Sequence, residues 1–186
     1  MRRPPILLPA STRTPRPWRN GGGVTHDLRL YPEGAGDDDF LWRASIASIT
    51  APGPFSAWPG IDRTLAPLTG TLALSIDGAT AMLHPGDPPQ AFAGEAVASG
   101  HPVGGACTAL NIMARRGRAR AEISRDRTII PGTAAQILLL ADQAAMLRME
   151  DDDIPLDTGD ALVLESPRSA IESDRPLLIV RLFDTP

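Results

Sequence analysis

The chain has 186 residues and is 42% hydrophobic, so it can bury a core as one large domain or as two small halves. Its formal charge of −4 argues against a nucleic-acid-binding protein, because such a protein needs a basic patch. All 18 basic residues are arginine, which excludes a Schiff-base lysine and a phosphate-loop lysine. Cys107 is the only cysteine, so the chain can form no internal disulfide and no cysteine-rich metal site.

The beginning of the chain is expected to be neither a signal peptide nor an anchor. Its apolar run is only three residues long, at 6–8, and Pro9 closes it. Elsewhere, every apolar run is far shorter than a membrane span. The sequence therefore predicts a cytoplasmic protein with no membrane partner.

Short β-strands are the predicted elements, because 19 prolines and 17 glycines leave little room for long helices. Apolar residues recur with a period of two, which is typical of strands. The predicted strands are, in chain order, 24–31, 40–49, 71–76, 80–83, 108–114, 136–140, 161–165 and 177–183. The pair Asp77-Gly78 predicts a hairpin turn between the third and the fourth. This pattern indicates an all-β fold, an antiparallel barrel or sandwich.

Two features divide the chain into halves. Segments 83–87 and 156–160 share the spacing of a Leu and a Gly-Asp turn, which two stacked barrel halves or chance would both produce. All aromatic residues except Phe183 lie in the first half, and aromatics are typical of small-molecule pockets. We therefore predict an N-terminal half, 1–118, that carries a site, and a structural half, 119–186, packed on it as one compact unit. An uneven core without functional meaning is the alternative.

The sequence predicts neither a bound metal nor a cofactor. Its histidines, His26, His84 and His101, are widely spaced and form no pair at metal-ligand spacing. Cys107 adjoins an apolar strand and is expected to be a buried, inert thiol. The chain also lacks the Gly-x-Ser-x-Gly motif of a nucleophile elbow.

The densest polar segment surrounds three consecutive glycines at 21–23. Glycine can adopt positive φ and approach a ligand closely. The segment lacks the Gly-x-Gly-x-x-Gly fingerprint and is not followed by a predicted helix, which argues against a nucleotide site. A tight loop that enters a strand is the structural alternative. The candidate binding residues of this segment are Trp18, Asn20, Gly21, Gly22, Gly23, Thr25 and His26.

Further candidates lie on two predicted strands and on a loop rich in Pro and Gly. Each segment mixes aromatic or apolar residues with an amide, a hydroxyl or a guanidinium group. Arg43 and Arg115 could hold a carboxylate, since the arginine fork matches two oxygens at once. An ordinary solvent face with extended arginines is the alternative. These candidates are Trp42, Arg43, Ser45, Phe55, Asp62, Arg63, Asn111, Met113 and Arg115.

Four segments together, 17–25, 42–47, 53–63 and 110–117, resemble the HutD/Ves family and occur in that family's order. The resemblance implies a cupin-like fold of two β-barrel halves without the usual cupin metal ligands. It also implies a link to bacterial histidine utilisation, in which such proteins are suspected of binding a pathway intermediate and moderating the pathway. Ala109 stands where the family tends to have Asp, and Asp27 where it tends to have Glu.

We therefore predict a metal-independent binding protein for an acidic small molecule such as urocanate or a formylated or formiminated glutamate. Two alternatives remain open at this stage. One is an isomerase or hydrolase that uses His26 with Asp27 or Asp62 as an acid–base pair. The other is a scaffold for a protein partner. Exposed β edges also allow a homodimer.

Overall fold

Antiparallel β-strands make up almost the whole fold in the computed structural model, which describes residues 4–18, 21–150, 152–167 and 169–185. The strands are β1 (Ile6–Leu8), β2 (Pro15–Pro17), β3 (Gly23–Tyr31), β4 (Trp42–Ile49), β5 (Gly53–Pro54), β6 (Ile61–Ile76), β7 (Ala79–Leu83), β8 (Gln90–Ala93), β9 (Ala98–Arg115), β10 (Ala119–Ile129), β11 (Gln136–Leu140), β12 (Ala145–Arg148), β13 (Asp153–Leu156), β14 (Ala161–Glu165) and β15 (Ile171–Asp184). A single turn of 3-10 helix spans Ala10–Thr12. The predicted all-β, antiparallel class is confirmed.

The first of two compact units contains residues 14–118 and one curled sheet. Its strand order is β2-β3-β4-β9-β6-β7, with β5 added to β9 and β8 added to β6. The long strand β9 lies between β4 and β6, so Met113 is opposite both Arg43 and Arg63. The β6–β9 register shifts around Thr69, and such irregularities bend a sheet. The hairpin predicted at Asp77-Gly78 joins β6 to β7.

Apolar side chains of this sheet form a buried cluster on its concave side. Ile49, Leu65, Leu72 and Leu74 are almost completely inaccessible to solvent. Burial of one such side chain stabilises a fold by roughly 1.5–3 kcal/mol. Cys107 belongs to this cluster, and burial raises the pKa of its thiol, as expected for the inert cysteine predicted from the sequence.

The second unit combines residues 119–185 with residues 4–13. Its strand order is β1-β14-β11-β15-β12-β13, and β10 pairs with β15. Every residue of β11 is buried, which explains its uninterrupted apolar sequence. The sequence assigned the first residues to the N-terminal half, whereas here β1 pairs with β14, Leu7 lying opposite Leu162. Arg13 holds this segment by donating hydrogen bonds to the carbonyls of Leu8 and Gly159, at 3.0 and 2.6 Å.

Within the described ranges, helices that could cross a bilayer are absent, because none is both long and apolar enough.

Candidate functional site

An open cavity of about 610 Å³ lies within the 14–118 unit. Its walls come from the inner face of the sheet, from β2 and from the loop that precedes β6. The lining residues are Arg16, Pro17, Trp18, Thr25, Asp37, Arg43, Ser45, Ala47, Pro54, Phe55, Ser56, Trp58, Arg63, Leu65, Asn111 and Met113. The cavity is therefore partly aromatic and carries several convergent polar groups, as small-molecule sites usually do.

The sheet register brings five of the predicted site residues to one face. Alternate residues of a strand point to the same side, which places Arg43 with Ser45 on β4 and Asn111 with Met113 on β9. Ser45 is directly opposite Asn111, and Met113 lies between Arg43 and Arg63 on the neighbouring strands. Three strands that are distant in the sequence thus build one polar floor.

The positive charge of Arg43 is compensated inside the cavity. Its Nε and Nη2 atoms lie 2.8 and 2.7 Å from Oδ1 of Asp27, and its Nη1 atom lies 3.4 Å from Asp37. The other oxygen of Asp27 pairs with Arg16 of β2 at 2.9 Å. Asp27 therefore joins the floor of the cavity to the strand at its rim.

Arg63, in contrast, has no carboxylate partner among the described residues. Its side chain is only 7% exposed. One Nη donates to the carbonyl of Ser56 at 3.3 Å and the other to Oδ1 of Asn111 at 3.4 Å, both long hydrogen bonds. Its Nε is buried without a hydrogen-bond partner. The guanidinium also lies over the rings of Phe55 and Phe92, at 5.5 and 4.9 Å from their centroids.

Burial disfavours the charged form of Arg63. Loss of solvation, followed by repulsion from Arg43, lowers the pKa of Arg63 to about 10. The group is still protonated at neutral pH. A protonated guanidinium that is buried without a carboxylate partner among the described residues is chemically suited to an anion, because a carboxylate would supply both the missing charge and the missing acceptors.

Trp18 closes one side of the cavity and is held by the hairpin that contains the glycines. Its backbone N–H donates to the Gly23 carbonyl at 2.9 Å, and its indole Nε1 donates to Thr25 at 2.8 Å. Its ring meets Phe55 edge-on at 6.0 Å. A Cβ atom at Gly23 would lie 2.3 Å from the carbonyl oxygen of Ser48, so a side chain there would force β3 and β4 apart.

The predicted glycines therefore serve the hairpin. Gly21 adopts a φ of +70°, and the buried Gly22 accepts hydrogen bonds from the N–H groups of Thr50 and Ala51. Gly21, Gly22 and Gly23 lie outside the cavity lining. Asn20 lies outside the described residues.

Two predicted site residues face away from the cavity because of strand alternation. Trp42 precedes Arg43 and stacks on Tyr31 at 5.6 Å between ring centroids. His26 follows Thr25 and also lies outside the lining. The acid–base pair suggested for an isomerase or hydrolase is thus not assembled in this cavity.

Asp62 and Arg115 are also placed elsewhere. Asp62 is exposed and accepts from Nε of Arg116 at 2.8 Å. Arg116 also binds Glu95, and its hydrogen bond lowers the pKa of that carboxyl to about 2. Arg115 donates to the Phe40 carbonyl at 2.9 Å, where it supports the loop before β4.

Several lining residues were missed from the sequence. Arg16 and Pro17 belong to β2, a three-residue strand whose prolines conceal its extended character. Asp37 lies in an acidic run that reads as solvated loop. Trp58, an aromatic near Phe55 in the Pro- and Gly-rich segment, also lines the cavity, and its residue type is a signal for a pocket wall. Within the described ranges, no group of three or more His, Cys, Asp or Glu residues could hold a metal ion.

Comparison with known proteins gives consistent results. A family model described as HutD matches residues 10–177. Protein Ves from Citrobacter koseri is 39% identical over 115 residues, and the match spans only 59% of its length and 60% of this chain. An uncharacterized 21.2 kDa protein in the hutC 3' region of Pseudomonas putida is 36% identical over 139 residues, 73% of this chain and 72% of its own length.

Solved structures agree with this picture. HutD from Pseudomonas fluorescens SBW25 superposes with a TM-score of 0.86 at 25% identity, covering 98% of this chain and all of the other. A cupin 2 conserved barrel domain protein from Leptotrichia buccalis superposes with a TM-score of 0.59 at 12% identity, over all of this chain and 98% of its own. The second likeness concerns the fold alone and confirms the predicted cupin-like class.

Proposed function

Because the chain belongs to the HutD family, we propose that it binds a small carboxylate in the cavity of its 14–118 unit and thereby moderates bacterial histidine utilisation. The ligand class is an acidic intermediate such as urocanate or a formylated or formiminated glutamate. Binding needs no metal ion, and the protein acts in the cytoplasm. The name of the P. putida relative, which places it beside hutC, supports the pathway.

One observation carries the choice of a carboxylate: the buried guanidinium of Arg63 has no anionic partner among the described residues. Arg43, the other buried arginine of the floor, is satisfied by Asp27 and Asp37. An anion therefore gains most by binding at Arg63. Each hydrogen bond to a charged group contributes roughly 1.5–3 kcal/mol.

Neighbouring groups supply the rest of the recognition. The side chains of Ser45 and Asn111 lie opposite each other on the cavity floor and can bind polar atoms of the ligand. Phe55 and Trp18 provide an apolar wall for a planar or aliphatic portion. The cavity volume of about 610 Å³ lies in the range of small-molecule sites, about 300–1,000 Å³.

The test is isothermal titration of the purified protein with urocanate, N-formylglutamate and N-formiminoglutamate, each with and without EDTA. We expect at least one acid to bind, with the same affinity in EDTA. The Arg63→Met variant should bind it at least about tenfold more weakly, since tenfold corresponds to about 1.4 kcal/mol. The matched control is Arg116→Met, which removes an exposed arginine outside the cavity and should leave affinity unchanged. Absence of binding by all three acids, or equal binding by Arg63→Met and the parent, would refute the proposal.

A further inference from the structure

The two edges of the first sheet are built differently. At one edge, β2 is three residues long and contains Pro15 and Pro17, and prolines prevent further strand pairing. At the other edge, β7 contains neither proline nor a charged residue. Its only partner in the described part of the chain is β6, so one side of its backbone is open. An unprotected edge of this kind is a template for another strand.

The open strand is also accessible and apolar. Residues 79–82 are all exposed, and Met82 is 48% exposed. The outer edge of β7 therefore presents backbone groups without a partner among the described residues, together with exposed side chains that include the apolar Met82.

We propose that β7 pairs with β7 of a second copy of this chain, antiparallel and about a two-fold axis at Ala81. In such an isologous contact residue i of one copy lies opposite residue j of the other and j opposite i, so only the residue on the axis meets its own counterpart. Like charges placed opposite each other destabilise a sheet, so the residue on the axis must be uncharged and the pairs beside it must be uncharged or complementary. Β7 meets this condition at every position, whereas a strand that receives a different peptide could carry charges complementary to it.

The register follows from the axis. Ala81 lies opposite Ala81 of the second copy, Thr80 opposite Met82, and Ala79 opposite Leu83. Beyond the strand, Gly78 lies opposite His84, which brings Asp77 of one copy close to His84 of the other. The few charged or titratable groups at the ends of β7 are thus complementary across the axis.

This contact is independent of ligand binding. No residue of β7 lines the described cavity, and β2, which does line it, is at the opposite end of the strand order. The five-residue ladder is short compared with standard interfaces, so we expect a dimer that dissociates on dilution. Failure of the dimer would leave the carboxylate proposal intact, and the reverse also holds.

Single cysteines placed along β7 give a test of both the contact and its register. In an antiparallel pair, directly opposed Cα atoms are about 4.5–5.5 Å apart, a separation that a disulfide can bridge. The Ala81→Cys variant places two thiols on the axis. The matched Ala79→Cys variant places its thiol on the same face of the same strand. The Cα atoms of position 79 in the two copies are, however, four residues apart along the paired strands, about 14 Å. The native Cys107 is buried and does not interfere.

Under mild oxidation with oxidised glutathione, we expect Ala81→Cys to form a covalent dimer and Ala79→Cys to remain mostly a monomer. Sedimentation velocity of the unmodified chain should show a dimer whose fraction rises with concentration, and Ala81→Lys should abolish it. The proposal is overturned if the unmodified chain stays monomeric over about 5–500 µM, a range chosen to populate even a weak dimer. Equal cross-linking of the two cysteine variants would also overturn it.

Discussion

Replacement of Arg63 by methionine should stabilise the ligand-free protein while it removes ligand binding. Methionine keeps an unbranched chain of similar length, so the volume between Phe55 and Phe92 stays largely filled. The substitution deletes a buried charge that lacks a counter-ion among the described residues. Functional groups held in such unfavourable surroundings commonly lower the free energy of unfolding, and their removal raises it.

The magnitude follows from the pKa of Arg63, which burial lowers to about 10 in the folded state. At 1.36 kcal/mol per unit, the charged side chain destabilises the fold by about 3 kcal/mol. Its contacts with the rings of Phe55 and Phe92 offset this by about 0.5–1 kcal/mol each. Two long hydrogen bonds recover little more. We therefore expect Arg63→Met to raise the free energy of unfolding by about 1 kcal/mol.

Urea unfolding at neutral pH measures this change, and Arg43→Met is the matched control. Arg43 is equally buried but pairs with Asp27, so among the described residues its removal leaves that carboxylate with Arg16 as its ion-pair partner. Breaking a fully buried ion pair costs about 3–5 kcal/mol, and Asp27 is partly exposed, so we expect Arg43→Met to lower the free energy of unfolding by about 2 kcal/mol. Two similar substitutions in one cavity should thus shift stability in opposite directions.

An unfavourable charge at Arg63 in the ligand-free protein is refuted if Arg63→Met destabilises the protein as much as Arg43→Met does. That result would mean that the guanidinium of Arg63 is satisfied within the folded protein, and its role as an open anion-binding group would be lost. A stabilised variant that still binds the carboxylate would refute only the functional half of the argument.

Two further predictions concern positions outside the cavity. Gly23→Ala should lower the free energy of unfolding by about 2 kcal/mol or more, because the new Cβ would lie 2.3 Å from the Ser48 carbonyl oxygen. Gly36→Ala should change it little in the same urea titration, because its Cβ would make only an ordinary contact, 3.7 Å from Oδ1 of Asp39. Arg116 holds the pKa of Glu95 at about 2 instead of 4.5, so their interaction stabilises the fold above pH 4.5 and is lost as the pH falls towards 2. In the Arg116→Gln variant an NMR titration should return the pKa of Glu95 towards its ordinary value, and an unchanged pKa would contradict this assignment.

The buried strands β11 and β14 were predictable, whereas several exposed strands were not. The predicted segments 136–140 and 161–165 coincide with β11 and β14, because buried strands consist of uninterrupted apolar residues. The segment between the predicted strands 108–114 and 136–140 was given no strand, yet it contains β10. Among the described residues the one partner of β10 is β15, and the exposed residues of β10 can be charged, which hides its period of two.

The site was predictable as far as strand alternation was applied. Arg43 and Ser45 share the inner face of β4, and the sequence pattern placed them together. Trp42, one position earlier, was included as an aromatic candidate, although alternation assigns it to the outer face. The pairing of Arg43 with Asp27, and the lack of a similar partner for Arg63, depend on register between distant strands. No local pattern could have distinguished the two arginines.

The position of β9 between β4 and β6 has a consequence for the lifetime of the folded protein. The cavity floor exists only when residues near 43, 63 and 111 have met, and contacts between such distant residues form slowly and late in folding. A ligand that touches all three strands therefore binds tightly only after the folding transition state has been passed. We expect the ligand to slow unfolding and leave the folding rate nearly unchanged, so that the bound ligand increases the kinetic stability of the sheet.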